Sequence, residues 1–186
     1  MENQVMNKEI TLKSNCIATI IPAGEEVTLA EGATFTIAQS LGNSVTLRDS
    51  NGMYRVGEDQ LSALGDDVKQ EVLQADQPEE AEGPFEEKQV WDAMRGCYDP
   101  EIPVNIVDLG LIYDLRIDEG TKGKQVFVKM TLTAQGCGMG PVIADDAKTR
   151  IEKLSSVESA EVEIVWEPQW NPRMISEEGK KVLGLE

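Results

Sequence analysis

Residues 132–140, LTAQGCGMG, place one thiol, Cys137, among three glycines. An alternating segment ends there and a helical pattern, Ile143, Ala147, Ile151 and Leu154, begins. Gly136, Gly138 and Gly140 let the main chain turn sharply and present its N–H groups. Gly140 reads as a helix N-cap and Pro141 as the first helical residue. Main-chain donors and a helix dipole favour negative charge, and a thiolate is such a charge. The pattern therefore predicts an accessible Cys137 with enhanced thiolate character, in a loop that includes Met139. Asp145 and Asp146 oppose this if they lie close. The alternative is a buried thiol acting as a small hydrophobe. A phosphate cradle is disfavoured, because neither GxxxxGK[ST] nor a dinucleotide-binding fingerprint occurs.

Two further stretches carry chemistry. In YDPEIPVNIVDLG, residues 98–110, Asp99, Glu101 and Asp108 put three carboxylates in a proline-stiffened loop. Such groups bind metal, act as acid and base, or cap backbone donors, and capping suits Asp99 before Pro100. In VWEPQWNPRMIS, residues 165–176, Trp166 and Trp170 flank Glu167 and Pro168. They either close the core or form an apolar rim for a partner.

What is missing narrows the chemistry. The chain has no histidine, three cysteines (Cys16, Cys97, Cys137) and no CxxC. Ser–His and Cys–His nucleophiles and imidazole zinc sites are excluded. A thiol-dependent hydrolase or redox protein would have to use Asp or Glu as base, poorly matched to a thiol near neutral pH. An enzyme is therefore not expected. The net charge of −17 repels phosphates and anionic lipid, arguing against nucleic acid and membrane roles. No signal-like N-terminus, no span-length apolar run and no disulfide framework is evident, which predicts a reducing cytoplasm.

The elements that must position these residues follow from period and punctuation. The sequence predicts an α+β fold in two modules. Residues 1–75 read as a small β-rich, barrel-like module: short strands at Cys16–Ile21, Glu26–Leu29, Thr34–Ala38, Val45–Arg48 and Tyr54–Val56. A helical stripe over Gln60–Gln74 follows, through Leu61, Leu64, Val68 and Leu73. Residues 76–87, rich in acid and proline, read as an exposed linker. Residues 88–186 read as an α-β-β-α-β domain with a C-terminal tail. Its first helix runs near Glu86–Gly96, with Val90, Trp91 and Met94 inward. Strands follow near Ile112–Ile117 and Gln125–Thr133, then the helix after the glycines, then an alternating strand through Ala160, Val162, Ile164 and Trp166.

YDPEIPVNIVDLGLIYDL, MTLTAQGCGMG and VWEPQWNP together resemble the PaaD-like family of metal–sulfur cluster assembly domains, over roughly residues 86–175. The added β-rich module resembles the SufT-type, two-module branch linked to the SUF iron–sulfur system. The resemblance implies an auxiliary factor in iron–sulfur protein maturation, with SUF-type assembly proteins and recipient apo-proteins as partners. The family's thiol falls on Cys137, its DPE segment on Asp99, Pro100 and Glu101, and its DLG acid on Asp108. Many relatives carry proline after the thiol, where this chain has Gly138.

An iron–sulfur cluster wants about four protein ligands, mostly thiolates, and one chain offers one well-placed thiol. The expectation is that a monomer holds no cofactor stably and that Cys137 is a transient metal ligand. The routes left open are a cluster shared across a homodimer, hand-off completed by a partner's thiols, and an adaptor that never touches the cluster.

Overall fold

The computed structural model describes residues 7–75 and 84–185. The chain divides into two compact units, one ending at Gln77 and the next beginning at Pro78. Most of the expected linker, 76–83, lies outside the described residues.

β-Branched segments separated by turn residues make the first unit a six-stranded antiparallel sheet. Its strands are β1 (Glu9–Thr11), β2 (Cys16–Ile21), β3 (Glu26–Leu29), β4 (Thr34–Leu41), β5 (Ser44–Arg48) and β6 (Met53–Val56). They lie in the order β1-β4-β5-β6-β2-β3. Alternate residues point inward, so Cys16, Ala18, Phe35, Ile37, Val45 and Leu47 share one core. The helical stripe after the sheet is two pieces rather than one. A 3-10 helix, Glu58–Leu64, is followed by α1 (Asp66–Ala75). The break falls at Gly65, whose φ of +105° is outside the helical region. Leu61, Leu64, Val68 and Val72 nevertheless all reach the core.

In the second unit α2 (Glu87–Arg95) buries Val90 and Met94. Trp91 is only half-buried and its indole N–H donates to Glu87 Oε1 at 3.0 Å, so it does not share their inward face. Strands β7 (Ile112–Glu119) and β8 (Lys124–Met130) form an antiparallel hairpin. Helix α3 (Gly140–Glu152) then crosses over to β9 (Val157–Ile164), which runs parallel to β8. The sheet order is β7-β8-β9. Val126, Val128, Met130 and Ala160 face inward with Ile143, Ala147 and Ile151 of α3. Strand β9 ends two residues before Trp166, and Leu154 lies past the end of α3.

The C-terminal tail is ordered into a strap. A 3-10 turn, Pro172–Met174, leads to α4 (Glu177–Leu183). Ser176 caps α4 by accepting the Gly179 N–H at 3.0 Å. Among the described residues no helix is long and apolar enough to cross a membrane.

Candidate functional site

The strand-to-helix junction that carries Cys137 is pinned from both sides. Gly140 is the first residue of α3, and Met139, fully buried, takes the N-cap position expected of Gly140. The reason is packing. A Cβ on Gly140 would lie 2.5 Å from Leu132 Cδ1 and 3.4 Å from Ile164 Cδ1, so glycine lets the helix start press onto the strand ends without displacing the Leu132 side chain. Pro141 then occupies the first turn, which contains no acidic residue. Asp145 is exposed. Asp146 pairs with Arg150 at 3.5 Å, with both side chains largely buried.

Cys137 itself is half-buried, three residues ahead of α3, with exposed Gly136 before it and half-buried Gly138 after it. Its carbonyl accepts the Gly140 N–H at 3.2 Å. The other two thiols are buried and engaged. Cys16 Sγ donates to Ile17 O at 3.7 Å, and Cys97 Sγ to Ile143 O at 3.6 Å. Burial, with Asp59 as a lesser influence, pushes the Cys16 thiol above its ordinary pKa.

The three loop carboxylates do not converge. Asp99 is buried, and its Oδ1 accepts the Glu101 N–H at 2.9 Å, closing a local turn. Burial holds its carboxyl above the usual carboxylate range, against the lowering effect of the Glu101 N–H. Glu101 is exposed. Asp108 accepts from Asn105 Nδ2 at 2.7 Å and from Ser176 Oγ at 2.8 Å. Asp99 and Asp108 thus act on the loop's own architecture. Among the described residues no group of three His, Cys, Asp or Glu side chains is arranged to hold a metal ion.

The tryptophans join the three stretches. Trp170, half-buried, donates its indole N–H to Leu109 O at 2.8 Å. Tyr113 donates to Pro168 O at 2.7 Å, and the Ser176 N–H to Asp108 O at 2.8 Å. Trp166 is 38% exposed. With Gln169 and Trp170 it faces residues 131–135 across a small cleft of about 20 Å³. The segment leading into Cys137 is therefore one wall of a cleft whose other wall is the tryptophan stretch. Sequence reasoning missed Asn105, Tyr113, Ser176 and the cleft residue Gln169. Only Asn105, three residues ahead of Asp108, carried a local signal, the i to i+3 spacing at which an Asn side chain caps a following backbone N–H.

A family model described as "Iron-sulfur cluster assembly protein" matches residues 87–164. An Fe-S protein maturation auxiliary factor of Porphyromonas gingivalis is 42% identical over 99 residues, which is 53% of this chain and 91% of that protein. The chain belongs to the iron–sulfur cluster assembly protein family. Two further members align comparably. The Fe-S protein maturation auxiliary factor YitW of Bacillus subtilis is 38% identical over 97 residues, 52% of this chain and 92% of its own. The Fe-S protein maturation auxiliary factor SufT of Staphylococcus aureus is 43% identical over 88 residues, 47% of this chain and 96% of its own. The part matched by the iron–sulfur cluster assembly model contains Asp99, Glu101, Asp108 and Cys137. It stops two residues short of Trp166 and leaves out the strap and the whole first unit.

Proposed function

We propose that this chain is an auxiliary factor in the maturation of iron–sulfur proteins, acting as a carrier or targeting factor with Cys137 as a transient thiolate ligand. The observation that carries the reading is the contrast among the three thiols. Cys16 and Cys97 are fully buried, whereas Cys137 is half-buried on a glycine loop at the front of α3. Family membership and the names of the aligned relatives support it.

The cluster is cargo in this reading. One thiolate falls short of the about four ligands that clusters take, so the remaining ligands come from donor or recipient. Loading exchanges a donor ligand on iron for Cys137 Sγ, and the thiol proton passes to the departing donor group. Delivery breaks the iron–Sγ bond as a recipient thiolate takes its place, with no change in oxidation state. The partners are SUF-type assembly proteins and recipient apo-proteins, and the role is auxiliary rather than catalytic.

The test is Cys137→Ser in a host that depends on this protein, beside anaerobic reconstitution with iron and sulfide. The expected result is loss of iron–sulfur enzyme activities at unchanged protein level, and loss of cluster absorbance in the variant. Normal activities at equal level would remove the ligand role and leave an adaptor that never touches the cluster.

A further inference from the structure

The two edges of the second unit's sheet differ. On β9 the Ala160 N–H donates to Glu152 Oε1 at 3.2 Å, so a side chain obstructs that edge. Among the described residues strand β7 carries no such plug. The Gly120 N–H bonds Gly123 O at 2.8 Å and sets the phase of the hairpin ladder. Counting back through the register, 118↔125, 116↔127 and 114↔129 are the pairs that exchange hydrogen bonds with β8. The N–H and C=O groups of Leu115 and Ile117 therefore point away from the sheet. No turn, loop or cap hydrogen bond from a described residue reaches them, and both side chains are half-exposed. Along the same edge Asp114, Arg116 and Asp118 are exposed, share one face and alternate in sign.

We propose that β7 pairs antiparallel with β7 of a second copy of this chain, centred on Leu115, joining two three-stranded sheets into one. This inference does not depend on the ligand role of Cys137. The outward-directed groups allow three nearby registers, and charge selects among them. Centring on Arg116 would set it against its own copy and Asp114 against Asp118, two kinds of like-charge contact. Centring on Ile117 pairs Arg116 with the partner's Asp118, but Arg116 already pairs with Asp118 of its own chain at 3.1 Å, and Asp114 is left outside the 115–119 ladder. Centring on Leu115 keeps the bulge between Ile112 and Asp114 at the ends of the new ladder and sets Asp114 opposite the partner's Arg116, twice by symmetry. These are non-hydrogen-bonded pairs, in which side chains approach most closely. The half-exposed Leu115, Tyr113 and Ile117 gain cover in the same step. Ile112 pairs with Met130, beyond which the chain runs to Cys137. The two Ile112 residues end up at opposite ends of the new ladder. The thiol loops therefore stay apart, unlike a dimer that shares a cluster.

Two copies each carrying −17 repel at long range. At about 0.15 M salt the Debye length is roughly 8 Å, which screens that repulsion while leaving contact pairs largely intact. The test is sedimentation equilibrium of the full chain in such a buffer, with amide exchange of Leu115 and Ile117 followed against protein concentration. We expect a reversible monomer–dimer equilibrium, with both amides gaining protection as concentration rises. Arg116→Asp makes both charge pairs repulsive and weakens association by about tenfold or more. Adding Asp114→Arg reverses the pair and restores it. A wild type that stays monomeric, with exchange at 115 and 117 independent of concentration, overturns the proposal without any variant. So does a dimer indifferent to Arg116→Asp, or one restored only by Asp118→Arg.

Discussion

Asp99 gives the sharpest test of how the 98–110 loop is built. It is 4% exposed, and its Oδ1 accepts the Glu101 N–H at 2.9 Å. Burial is the largest influence on its carboxyl and raises the pKa from 3.8, so the folded state keeps the proton where the unfolded chain has lost it. The sign follows. The protonated group's stabilisation is complete below the unfolded pKa and is lost as pH rises through the folded one. Each pH unit between the two lowers wild-type stability by at most about 1.4 kcal/mol, after which the curve is flat. Asp99→Asn keeps the Oδ1 acceptor and does not titrate. Its amide adds two donors, giving a pH-independent offset on the order of 1 kcal/mol if one stays unpaired. The readout is therefore the slope and not the offset. Urea melts of both proteins from pH 4 to pH 8 should show the variant gaining on wild type over the first part of the range, then running parallel. Subtraction removes the other carboxylates, including Asp49, Glu158 and Glu177. Hydrogen bonds lower the pKa of these three, which gives the opposite dependence, with stability lost as pH falls. A difference that is flat throughout, or that favours wild type increasingly as pH rises, would refute the reasoning.

Three more outcomes are expected. Gly110→Ala puts a Cβ into the Met174 carbonyl, 2.8 Å from its carbon, and should cost about 2 kcal/mol or more by forcing backbone apart, read in a denaturant melt. Trp170→Phe removes the donor to Leu109 O and should cost about 1 kcal/mol, with faster amide exchange at Ser176, which shares the strap. Brief alkylation of the native protein should label Cys137 and spare Cys16 and Cys97 until urea opens the fold, as peptide mapping would show.

Much of the fold was legible because its signals are local. The alternation of Val126, Val128 and Met130 fixed β8, and the Ile143, Ala147, Ile151 stripe fixed α3, each to within a few residues. The three-residue β1 was invisible, since so short a run has no period to read. Helix α4 was missed because its seven residues bury only Gly179, which leaves no apolar stripe. The candidate site divides the same way. The glycine-flanked thiol and the loop acids stood out by residue type. Their partners did not, because Asp108 meets Ser176 across 68 positions and Trp170 meets Leu109 across 61. The N-cap at Met139 was misassigned because the contact of Gly140 with Leu132 is a property of packing and not of spacing.

The strap holds the 98–110 loop largely through main-chain carbonyls, those of Leu109 and Asp108. A grip on backbone oxygen does not depend on what side chains the gripped residues carry. With Asn105 and Asp108 kept, Glu101, Ile102, Pro103 and Val107 lie at exposed or half-exposed positions that randomisation can reach without loosening the fastening. That makes the loop a natural place to vary displayed side chains, on a scaffold whose anchorage is indifferent to them.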